Sequence, residues 1–114
     1  MSVRIKRVYN ARQVDDGYRV LVDRLWPRGL SKERAAIDLW CKEVAPTSEL
    51  RRWFDHQPDR FVEFTARYVA ELDSNPATER LREIVATKET VTLLYGAKNE
   101  LINQAAVLAD YLSR

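Results

Sequence analysis

Residues 23–29 read Asp-Arg-Leu-Trp-Pro-Arg-Gly, which places a carboxylate, two guanidinium groups and an indole directly behind an apolar run. Arg24 and Arg28 stay charged at any physiological pH. Each offers a planar fork of donors that matches two oxygens of a carboxylate or phosphate. Asp23 is placed to orient an arginine and temper the local positive charge. Two arginines exceed what one neighbouring aspartate neutralises, so the segment points to an anion site. The competing reading is structural, with Asp23 and an acid such as Glu43 pairing with the two cations.

A second segment, Tyr95-Gly96-Ala97-Lys98-Asn99, joins an apolar run to a helical pattern. The first backbone N–H groups of such a helix carry partial positive charge, and Gly96 allows close approach. Tyr95 therefore joins the candidate ligand-binding residues. Asn99 and Asn103 stand four apart, on one helical face, where two amides can orient a polar ligand. For Asn99 the plainer role is helix capping, and for Asn103 it is a solvent-facing polar residue. No cofactor is expected, because the glycine spacing of a Walker loop or dinucleotide fingerprint is absent.

His56 is the only histidine and follows Trp53-Phe54-Asp55. It is the candidate proton carrier, with Asp55 as a neighbouring acid; a cationic helix terminus explains it equally simply. One His and one Cys give no cluster with metal-ligand spacing, so no metal is expected. Cys41 would need an electropositive, accessible setting to act as a thiolate, and the adjacent Lys42 points the other way on a strand. The three tryptophans suit core or site walls better than base-stacking platforms. No serine nucleophile elbow occurs.

The elements that must position these residues follow from periodicity. Val3 and Ile5 alternate with charges as a first strand; Asp15-Asp16-Gly17 makes a turn; Tyr18–Arg24 reads as a second strand and Ile37–Cys41 as a short third. Ser31 caps a helical turn, and Pro46 with Thr47 or Ser48 opens a helix carrying Leu50, Trp53 and Phe54. Pro58 starts a helix whose Phe61, Phe64, Tyr68 and Leu72 form one apolar stripe. Asn75-Pro76 opens the next, with Leu81, Ile84 and Val85 inward. Residues 91–95 form a central strand. A last helix is expected from Asn99, with Leu101, Ala105, Leu108 and Leu112 buried. Strands separated by helices predict a small single α/β domain over residues 1–114, with a mostly parallel central sheet flanked by helices. Ligands in such sheets sit beyond the carboxyl ends of the strands, where the segments after Arg24 and Tyr95 emerge.

Composition agrees. A chain of 114 residues that is 46% hydrophobic suits one core. No segment approaches the ~20 apolar residues of a membrane span, the first residues lack a signal-peptide pattern, and Cys41 is unpaired in sequence, so a cytoplasmic protein without membrane contact is expected. Net charge is only +2, yet residues 1–34 hold nine Lys/Arg against four Asp/Glu. This basic third, with Arg12, Arg19, Arg24 and Arg28, suits phosphate, carboxylate or nucleic acid.

The strings from Tyr18 to Gly29, Leu50 to His56, Phe61 to Leu72 and Val91 to Tyr95 resemble the YeaO-like branch of the domain-of-unknown-function family 488, over roughly Val8 to Leu112. The resemblance implies a compact bacterial cytoplasmic α/β domain, with Asp23, Arg24, Arg28, His56, Tyr95 and Asn103 on motif positions. A histidine usually follows the asparagine of the last helix in that pattern, where this chain has Gln104. Two functions follow as expectations. The first is an anionic small-molecule ligand, such as a nucleotide, bound at the carboxyl edge and open to metal-independent chemistry. The second is a non-catalytic module whose basic third contacts a protein partner or, weakly and through phosphates, nucleic acid.

Overall fold

The apolar run at residues 91–95 forms the inner strand that its composition predicts. In the computed structural model, which describes residues 2–114 and leaves Met1 outside the described residues, the strands are β1 (Ser2–Arg7), β2 (Tyr18–Leu21), β3 (Leu39–Trp40) and β4 (Thr90–Tyr95). The helices are α1 (Lys32–Ala35), α2 (Ser48–Phe54), α3 (Phe61–Asp73), α4 (Pro76–Thr87) and α5 (Gln104–Leu112). The sheet order is β1-β4-β2-β3 and every pairing is parallel, with Arg7 opposite Tyr95 and Leu21 opposite Leu94. The α/β class with a parallel sheet is therefore the observed one.

Side chains of a strand alternate between faces, and the two faces here are covered differently. Val91, Leu93, Tyr95, Val20 and Val22 join the main core with Leu50 and Phe54 of α2, Phe64, Tyr68 and Leu72 of α3, Leu81 of α4 and Leu108 of α5. Leu21 and Leu94 face the other way, against Val8, Leu30, Ala35 and the half-buried Trp26, Ile37 and Trp40. Thr92 and Arg19 are buried on this second face as well. Arg19 has no exposed surface. It bonds Asp16 at 2.5 Å and the carbonyls of Ala35 and Ala36 at 2.8 and 2.9 Å. Lys6 adds a second cation to Asp16 at 3.1 Å. A buried charge persists when it is paired and hydrogen-bonded, so the expectation that Arg19 could meet an external anion is corrected: it is an internal strut. Gly17, at φ 67°, is fixed by packing too, since an added Cβ would lie 2.4 Å from the Thr90 carbonyl oxygen.

Caps fall where the sequence places them: Ser31 accepts from Arg34 N–H, Thr47 from Leu50 N–H and Asn75 from Ala77 N–H. Three boundaries differ. Ladder pairing of β2 stops at Leu21 instead of Arg24, because the chain turns out of the sheet after Val22. The third strand shrinks to two residues. The last helix begins at Gln104 with Asn103 as its cap, while Asn99 closes a separate turn onto the N–H groups of Leu101 and Ile102. Leu101, expected in the buried stripe, is 81% exposed for that reason. Ile84 and Val85 are only half-buried, as is Phe61 at the start of α3.

Candidate functional site

Because all four strands run the same way, their carboxyl ends share one edge, and the loops leaving them surround a cavity of about 430 Å³. Tyr9 reaches it from beyond β1, residues 23–28 from beyond β2, Ala45 and Pro46 from beyond β3, and Gly96 and Ala97 from beyond β4. Arg51 and Phe54 of α2, His56, Phe64 of α3, Asn103 and Gln104 complete the wall.

Asp23 ties these exits together. Where β2 leaves the ladder, its carboxylate accepts the Gly96 N–H at 2.8 Å and the side-chain amide of Gln104, joining β2, β4 and the start of α5. Its backbone carbonyl accepts Trp40 Nε1–H at 2.8 Å. A Cβ on residue 96 would stand 3.0 Å from the Asp23 oxygen, so glycine permits this approach. Burial pushes the Asp23 carboxyl up from 3.8 to about 6, against the opposing pull of the Gly96 and Gln104 bonds and the charges of Arg51 and His56. The expectation that Asp23 orients an arginine is corrected: it makes no ion pair with Arg24 or Arg28.

The cations are held differently. Arg24 is half-buried, with Nε and Nη2 donating to the carbonyls of Pro46 and Ala45, each at 3.1 Å. Its Nη1 has no partner among the described residues. Arg28 is exposed beyond the Pro27 turn, where its backbone carbonyl accepts the Tyr9 hydroxyl at 2.9 Å. Arg51 is exposed on α2. Neither the Arg28 nor the Arg51 guanidinium has a hydrogen bond or ion pair among the described residues. The Glu43 pairing that competed with an anion site is not formed.

His56 borders the cavity from an unusual backbone. Asp55 and His56 sit consecutively in the left-handed region, at φ 49° and 53°, just after α2. Non-glycine residues there cost on the order of 1 kcal/mol each, and such strain gathers at functional sites. The imidazole is exposed, 6.2 Å from the Phe54 ring centroid, and has no hydrogen bond to Asp55.

The fold thus gathers Asp23, Arg24, Arg28, His56 and Asn103 around one cavity. Tyr95 and Asn99 are not in its wall. Tyr95 is 2% exposed in the main core. Both asparagine amides are already engaged: Asn103 accepts Ala106 N–H and donates to the Asn99 carbonyl, while Asn99 accepts two backbone N–H groups. Cys41 is buried, which raises its thiol and keeps it protonated. Trp26 packs edge-on to Trp40 at 5.4 Å and forms part of the wall. Arg51 was not singled out from sequence. Its signal was its spacing, three residues before the wall residue Phe54 and so on the same helical face.

A four-stranded parallel sheet flanked by helices, with a crevice bearing three arginines at its carboxyl edge, defines a small α/β domain. The chain belongs to the DUF488 family, whose model described as "Inactive DUF488-N3 subclade" matches residues 2–114. It is 45% identical over 111 residues to the uncharacterized protein Rv3073c of Mycobacterium tuberculosis, covering 97% of this chain and 93% of that one. It is also 45% identical over 112 residues to the uncharacterized protein YeaO of Escherichia coli, covering 98% and 97% respectively. No solved structure is a significant match.

Proposed function

We propose that this protein binds an anionic small molecule, bearing phosphate or carboxylate, in the crevice at the carboxyl edge of the sheet, and that it does so without catalysis. The observation that carries the reading is the charge of the wall, three arginines against one carboxylate that already accepts two hydrogen bonds. Arg28 and Arg51 have free guanidinium groups, and Arg24 has a free Nη1, so bidentate contacts to an incoming oxyanion replace only water.

Absence of chemistry is supported from two directions. The matching subclade is described as inactive. Gln104, which stands where the family pattern usually has histidine, is bonded to Asp23 as an amide and cannot act as a general acid or base. Among the described residues His56 has no hydrogen-bond partner to orient it as an acid or base. The concave placement of the arginines favours a small ligand over nucleic acid, and three of the nine cations in the basic third are occupied internally: Lys6 and Arg19 on Asp16, Arg7 on the Ala97 carbonyl.

Calorimetric or NMR titration with inorganic phosphate and a nucleoside monophosphate tests this. Arg28→Ala and Arg51→Ala should each weaken binding about 10- to 100-fold while the fold is retained, the range for losing a charged hydrogen bond. Arg52→Ala, which removes the same charge beside the cavity wall, should bind like the parent. Equal losses from all three would reduce the effect to net charge and sink the proposal.

A further inference from the structure

We infer that the ligand of this crevice is an anion that also carries a hydrogen-bond donor, a hydroxyl or amine, received by the Asp23 carboxylate. This rests on the anion-binding reading above and narrows it to a class of ligand. The argument begins with what Asp23 leaves unused. A carboxylate has about four lone-pair sites. Gly96 N–H occupies one on Oδ2 and the Gln104 amide one on Oδ1, so both oxygens keep acceptor capacity at the cavity wall. The wall cations do not consume it, since Arg24 donates to the Pro46 and Ala45 carbonyls and Arg28 and Arg51 make no ion pair.

Donors and acceptor are therefore presented separately to one cavity. A bare anion would meet Asp23 as a like charge, with nothing to satisfy its remaining lone pairs once water is displaced. An anion bearing a hydroxyl or amine satisfies the arginines with its oxygens and Asp23 with its donor. Leaving a buried polar group unpaired is what lets a site reject an analogue that lacks one hydroxyl. The two bonds that fix Asp23 also fix where that donor must lie, because the carboxylate cannot rotate without losing Gly96 or Gln104.

Two matched pairs of probes test the inference: glycerol 3-phosphate against propyl phosphate, and glycerate against propionate. Members of each pair share the charged group and carbon count and differ in hydroxyls. The hydroxylated member should bind the parent at least about 10-fold tighter in whichever pair binds. In Asp23→Asn that preference should shrink several-fold, while the affinity of the unhydroxylated member holds or improves as the like charge disappears. The asparagine keeps an oxygen for Gly96 N–H and an amide for a flipped Gln104, so this variant stays folded; Arg28→Ala should weaken both members alike. Equal binding of the two members by the parent, or an unchanged preference in Asp23→Asn, overturns the inference and leaves the anion site standing. Failure of all four probes to bind overturns the anion site, and the inference with it.

Discussion

Asp23 joins β2, β4 and the start of α5 through one side chain, and its ionisation gives a measurable consequence. Burial holds its carboxyl at about 6 in the folded chain, above the ordinary 3.8. Between those values the folded protein binds more protons than the unfolded one, so this group makes stability fall as pH rises from about 4 to about 6, with the full cost in place above that window. Asp16 has the opposite sign. Burial opposes its charge, yet the Gln13 backbone, Lys6 and Arg19 outweigh that and hold its carboxyl below the ordinary value. Its contribution is present above 3.8 and lost at lower pH, which separates the two groups. In denaturant unfolding followed from pH 4 to pH 7, the stability of Asp23→Asn relative to the parent should rise with pH by on the order of 2 kcal/mol. A constant difference across that range would show that Asp23 titrates normally.

At the scale of elements, α3 links the core to the crevice. Phe64 is 2% exposed and stacks on Phe54 of α2 at 4.3 Å, and both rings also line the cavity. Truncation therefore removes core packing and a section of wall together. Phe64→Ala should cost about 3–5 kcal/mol, with Phe64→Leu costing less because more of the volume is retained. Thermal or chemical denaturation reads the difference directly. An alanine variant that unfolds at the parent's midpoint would mean that the α2–α3 stack is not a packing contact. The beginning of α5 shows a different logic. Asn99 and Asn103 each bond nearby backbone N–H groups, and two such turns in succession delay the helix to Gln104. That delay brings the Gln104 amide to Asp23.

For the molecule as a whole, the two faces of the sheet are stabilised by unlike means. Four helices cover one with apolar side chains, whereas the other combines a smaller apolar cluster around Leu21 and Leu94 with the buried Arg19, which joins Asp16, β2 and the carbonyls that end α1. Arg19→Met should destabilise by about 3–5 kcal/mol, since it leaves two carbonyls without their donor and deprives Asp16 of its closest cation. Equilibrium unfolding in urea is the measurement, and a loss below ~1 kcal/mol would contradict a structural role. Charge also looks different in three dimensions: in the basic amino-terminal third Lys6, Arg7 and Arg19 are engaged internally, Arg24 and Arg28 line the crevice, and Arg12, Lys32 and Arg34 are exposed away from it. Among the described residues no helix is long and apolar enough to cross a membrane.

Local signals were sufficient for much of this. Apolar spacing located the stripe at Phe64, Tyr68 and Leu72 and the inner strand at residues 91–95, and cap residues with proline marked the starts of α2 and α4, because period and capping act over one or two turns of chain. The parallel class followed from the alternation of strands and helices. Arg24 and Arg28 stood out by their residue types. Tertiary structure alone decided which cations were available. Arg19 and Arg24 look equivalent in sequence, yet one points into the sheet's second face and the other leaves with the chain after Val22. It also decided that Asp23 holds Gly96 and Gln104 instead of an arginine, a choice between partners 73 and 81 residues away. Arg51 joined the site through the packing of α2 against the strand exits. Such long-range placement is set by how layers pack; the spacing of Arg51 from Phe54 puts the two on one helical face, but only the packing of α2 brings that face to the crevice.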